Sequence, residues 1–101
     1  MSAAAPPAPR VSNPTEVTLD VSWEHVEEME GVTGVYVVVR KFPDPWESAE
    51  TQGPFPVEDK CVTIRKLRPT SAYQFKLVLE RGEERSPPSE AASGDTLQVG
   101  C

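Results

Sequence analysis

A chain of 101 residues with 38% apolar content can fill one hydrophobic core but not two, so a single compact domain is expected. Sixteen acidic against ten basic residues leave a net charge of −6, which argues against general affinity for nucleic acid or an anionic membrane. No apolar run approaches the roughly eighteen residues of a spanning helix, and eleven prolines with six glycines favour short strands joined by turns.

In chain order, residues 1–8 are alanine- and proline-rich with little to bury and read as a disordered lead-in or stiff linker. Order is expected from Pro9, with a short strand at residues 10–12 and a turn at Asn13-Pro14-Thr15. Val17, Leu19, Val21 and Trp23 then face one way while Thr18, Asp20 and Ser22 face the other. That alternation marks a half-buried antiparallel strand with Trp23 in the core. Residues 24–31 carry four glutamates and read as a solvated loop, and residues 32–40 are mostly β-branched and read as a strand. A turn is expected at 42–45, a short strand at 46–51, a loop at 52–56 and a strand at 61–64.

Leu67-Arg68-Pro69-Thr70-Ser71-Ala72-Tyr73 follows, and leads into the alternation Tyr73, Phe75, Leu77, Leu79. Leu67 would plug the core as one strand ends, and Pro69 would hold φ in the connection. The ring of Tyr73 would enter the core while its hydroxyl reaches back to upstream backbone, as in a tyrosine corner. A strand at 72–80 and a hairpin loop at 81–85 are expected next. An irregular last strand would begin at Ser86-Pro87-Pro88-Ser89 and end near Thr96, its prolines marking a sheet edge. Residues 97–101 form a tail expected to fray.

Together with the strand ending at Trp23, this corner resembles the fibronectin type III module. The resemblance implies an all-β fold, an immunoglobulin-like, seven-stranded antiparallel β-sandwich over residues 9–96, used for binding and spacing rather than chemistry. It also implies that Val35, Val37 and Val39 point inward and Tyr36 and Val38 outward; a one-residue shift would exchange the faces. The loops at 24–31, 58–60 and 81–85 would share one pole, with eight acidic residues against three basic. Arg40, Lys41, Arg65, Lys66 and Arg68 would gather at the other, opposed mainly by Asp44 and Glu47.

Nothing in the chain reads as catalytic, so no enzyme, cofactor or metal is expected. His25 is the sole imidazole and lies among glutamates, where an exposed loop histidine is the expectation. A structural zinc site takes about four Cys or His ligands, and here His25, Cys61 and Cys101 are widely spaced. Calcium-loop spacing and a phosphate-binding glycine loop are both missing. Cys61 and Cys101 do not make a disulfide framework, and Asn13-Pro14-Thr15 is disqualified for glycosylation by its proline. Leu19-Asp20-Val21 and Arg81-Gly82-Glu83 resemble adhesion strings, but the first sits mid-strand and the second has a side chain one methylene too long.

Two surfaces remain as candidates. Tyr36, Val38 and Val78 on an outward sheet face, with Trp46 beside them, would form a protein-binding patch. Alternatively, Trp46 and Phe42 fold over the sheet edge as a satellite cluster. The basic group Arg40, Lys41, Arg65, Lys66 and Arg68 would hold a heparin-like polyanion weakly. The expected function is a non-catalytic interaction or spacer module of a larger multidomain protein, with other proteins or neighbouring domains as partners and the domain itself a monomer. Other readings are a cytokine-receptor-like or adhesion-type ligand-binding module and an accessory module of an enzyme. The paired cysteines and Trp-Ser-x-Trp-Ser string of the cytokine-receptor type are missing. An extracellular or ectodomain setting is favoured over a cytoplasmic one.

Overall fold

The computed structural model describes residues 5–26 and 30–98. Two antiparallel sheets pack face to face. The first has the order β1-β2-β5, from β1 (Arg10–Ser12), β2 (Leu19–Ser22) and β5 (Cys61–Ile64). The second runs β4-β3-β6 and is completed by β7 and β8, from β3 (Gly34–Lys41), β4 (Glu50–Phe55), β6 (Ala72–Arg81), β7 (Glu84–Arg85) and β8 (Ala92–Asp95). β7 and β8 both pair with β6 and are two pieces of one edge. Counted as one strand they give the seven expected from the sequence.

Period-2 patterning decides which residues fill the core. Leu19, Val21 and Trp23 from the first sheet meet Val35, Val37, Val39, Phe75, Leu77 and Leu79 from the second, all buried. β3 therefore takes the register with Tyr36 and Val38 outward. Ile64, Leu67 and Tyr73 close one end of the core. The Tyr73 hydroxyl accepts a hydrogen bond from the Arg68 backbone N–H at 2.8 Å, which forms the tyrosine corner. Tyr73→Phe should therefore cost about 1 kcal/mol in urea denaturation; an unchanged midpoint would remove this bond from the account.

Several local expectations are corrected. Val17 is 45% exposed instead of facing inward. Thr15 and Thr18 form a closed turn, with Thr15 N–H on the Thr18 carbonyl and Thr18 N–H on Thr15 Oγ1, so regular alternation starts only at Leu19. Residues 46–51 are not one strand. Pro45 leads into a 3₁₀ turn, Trp46–Ser48, and β4 then runs through the 52–55 stretch expected as loop. Pairing of β3 with β4 shifts register between Val35 and Val37. Gly53 makes that possible, since a Cβ there would lie 2.8 Å from the Val35 carbonyl oxygen.

Residues 5–8 also differ from the unpacked lead-in read from the sequence. Pro6 is buried, and the Ala8 carbonyl lies 2.7 Å from His25 Nε2. His25 is accordingly half-buried, not an exposed loop residue. In the tail, Leu97 is tied at both backbone groups, its N–H to the Thr15 carbonyl and its carbonyl to the Thr70 N–H. Residues 99–101 lie outside the described residues, as do Glu27 and Glu28 of the acidic loop.

Candidate functional site

The outward face of the second sheet is set by the β3–β6 register, which places Tyr36 opposite Val78, Val38 opposite Lys76 and Arg40 opposite Gln74. Facing pairs on one side of an antiparallel sheet lie close enough for their side chains to touch. Tyr36, Val38 and Val78 are all half-buried. Trp46 arrives from the 3₁₀ turn and lies with its ring centroid 4.2 Å from Lys76 Nζ and 4.8 Å from Arg40 Cζ. Arg40 also stands over Phe42 at 5.5 Å. Its guanidinium donates to the Asp44 carbonyl and to Gln74 Oε1. At the other end, Arg85 Cζ is 4.5 Å from the Tyr36 ring centroid. Glu80 Oε2 accepts there from both the Tyr36 hydroxyl and Arg85 Nε.

The four residues expected to form a patch are thus brought onto one face, with cations stacked at both ends. Each stacked pair contributes about 0.5–1 kcal/mol at exposed sites. Trp46 is held against the sheet by its stacks with Arg40 and Lys76, yet it stays only half-buried and remains part of the surface. Phe42, by contrast, is 56% exposed. Lys76, Gln74 and Arg85 belong to the face but were not singled out from the sequence. The signal for Gln74 and Lys76 was present, because the alternation that buries Tyr73, Phe75 and Leu77 turns the intervening residues outward.

The basic group is only partly assembled. Arg40, Lys41, Arg65 and Lys66 line one cleft of about 260 Å³, together with Asp44, Glu50 and other residues, and Arg68 is not among the lining residues. Arg40 directs its guanidinium to the Trp46 stack. Glu16, in the turn beside Val17, and Asp95, paired with Ala72, add acid at the same end of the domain. Those carboxylates offset the cations and weaken the field any polyanion would meet there.

Among the described residues, no group of three or more His, Cys, Asp or Glu is placed to hold a metal ion. Trp23, Leu67 and Tyr73 are buried, and Trp23 Nε1 donates to the Val57 carbonyl at 3.2 Å. Their side chains build the scaffold and do not reach a partner.

The Trp23 core, the tyrosine corner and the two-sheet order coincide with a family-level match: the fibronectin type III domain family matches residues 4–95. The chain belongs to the fibronectin type III family. No curated protein matches it in sequence. Among solved structures, this fibronectin type III domain superposes on the fn3 domain of human contactin 1 with a TM-score of 0.82 at 20% identity, covering 100% of this chain and 88% of that one. The chicken CNTN1 FN1-FN3 structure gives 0.80 at 19% identity; 97% of this chain is covered, and it spans only 32% of that longer chain. A two-domain fibronectin type III segment from chicken tenascin gives 0.71 at 25% identity, over 91% of this chain and 49% of that one. Fibronectin type III domains are commonly interaction or spacer modules in multidomain proteins and are generally non-catalytic.

Proposed function

We propose that this domain is a non-catalytic interaction module of a larger multidomain protein, acting in an extracellular or ectodomain setting. It binds another protein through the outward face of its second sheet. The observation that carries this reading is Trp46, stacked with both Arg40 and Lys76 and only half-buried, on the sheet that also turns Tyr36, Val38 and Val78 outward. Trp, Tyr and Arg dominate binding energy at protein interfaces, and a ring already fixed by stacking loses little entropy on docking. A pure spacer has no need of such a preorganised face.

The reading is tested with a photo-crosslinking side chain placed at Val38 of the domain in its parent protein. A defined protein neighbour should be captured, and Trp46→Ala should abolish capture while destabilising the domain by no more than the loss of its two stacked pairs, about 1–2 kcal/mol. Capture that survives Trp46→Ala would remove this face from consideration. Absence of any crosslinked neighbour would leave the spacer role.

A further inference from the structure

His25 is a polar ring that the fold holds in place although the sandwich core does not use it. It lies just after β2, two residues beyond Trp23, and is half-buried outside the apolar cluster. Its Nε2 is 2.7 Å from the Ala8 carbonyl oxygen; that oxygen can only accept, so Nε2 carries the hydrogen. Nδ1 is buried with no partner. Among the described residues, the one hydrogen bond of this ring therefore goes to the segment that leads into β1.

That segment lies along the domain. Pro6 is buried, Pro7 exposed, Ala8 half-buried and Pro9 buried, so alternate residues turn inward. The prolines restrict φ before docking, which lowers the backbone entropy lost when the segment is held. Its location matters more. Residues 5–8 line a cleft of about 820 Å³ together with residues 88–91, Lys76 and Trp46. Residues 88–91 fall between β7 and β8, where Ser89 Oγ replaces a backbone acceptor for β6. The cleft that holds Trp46 thus has one wall contributed by the sheet and its broken edge, and another contributed by a segment outside both sheets.

We infer that residues 5–8 are a strap, positioned by His25, that walls the Trp46 cleft and belongs to the surface a partner meets there. His25 acts through the strap and is a positioning residue for this face. The part in binding rests on the Trp46 face being the interaction surface; the wall itself does not. Linkage makes the effect reciprocal: a partner touching both Trp46 and the strap holds the strap more firmly, and a domain with its strap released binds that partner less well.

Acrylamide quenching of tryptophan fluorescence in the full chain reads Trp46, because Trp23, the other indole, is 1% exposed. His25→Ala should raise the quenching constant about twofold as the half-buried ring loses one wall. His25→Gln, whose amide N–H can reach the same carbonyl, should restore the wild-type value. Pro6→Gly with Pro7→Gly should match His25→Ala without touching the loop, and the three changes together should do no more, because both routes remove the same wall. With the crosslinking side chain at Val38 in the parent protein, His25→Ala should lower the yield of the captured neighbour several-fold and His25→Gln should recover it. Wild-type quenching in both His25→Ala and the proline variant would overturn the strap. Raised quenching with unchanged capture would overturn its part in binding. If the wild type captures no neighbour, the interaction reading fails, and quenching alone decides whether the strap walls Trp46.

Discussion

Trp23→Ala should destabilise the domain by about 3–5 kcal/mol, the largest effect expected from any single change considered. The indole is 1% exposed and sits in the cluster where the inner faces of both sheets meet. Truncation removes its transfer energy and leaves a cavity lined by residues from two sheets, whose strands are too firmly registered to collapse into it. The bond from Nε1 to the Val57 carbonyl is lost as well, freeing the 3₁₀ turn Val57–Asp59 that leads into β5. Total stability of a domain this size is about 5–15 kcal/mol, so the variant would be marginal at best. Urea denaturation followed by circular dichroism measures the loss. A midpoint equal to wild type would mean that Trp23 does not anchor the sandwich.

The second large effect is expected at Ser86 and Ser89. β6 needs acceptors for its N–H groups along the edge where Pro87 and Pro88 interrupt pairing. The two serine hydroxyls supply them. Leu77 N–H donates to Ser89 Oγ at 2.8 Å and Leu79 N–H to Ser86 Oγ at 2.9 Å, both buried. The serine N–H groups in turn donate to the Leu77 and Leu79 carbonyls. Changing either serine to alanine strands a buried donor at about 1–3 kcal/mol, and the double change should roughly add, since the bonds are separate. Amide exchange at Leu77 and Leu79 should accelerate in step with the loss of stability. Exchange at wild-type rates in a destabilised double variant would assign the loss to something other than these bonds.

Much of this architecture was legible before any coordinates, because its signals are local. Alternation over Leu19 to Trp23 and Tyr73 to Leu79 names the buried face of two strands, and Leu67 with Tyr73 writes the corner between sheets. The prolines after Ser86 announced an interrupted edge, but not that the serine hydroxyls would replace the missing backbone partners. That role depends on how close β6 lies. Val17 failed for a related reason: the alternation reads smoothly through it, while the Thr15–Thr18 bonds end the strand first.

The candidate face divides in the same way. Tyr36, Val38 and Val78 follow from strand parity, so the sequence alone puts them on one side once the register is chosen. The position of Trp46 does not follow. It depends on a 3₁₀ turn after Pro45 and on cations from two strands, Arg40 and Lys76, that meet only through cross-strand pairing. The basic group shows the converse. Its members fall in two short runs, 40–41 and 65–68, whose charges read as one patch, yet Arg40 is drawn onto Trp46 and carboxylates from distant segments settle at the same end.

By itself, then, the sequence determined the all-β class, the corner and the inward residues, because side-chain period and turn chemistry act over a few residues. Tertiary structure alone decided which aromatic joins the exposed face and which charges offset one another. Each of those depends on segments far apart in the chain being brought side by side.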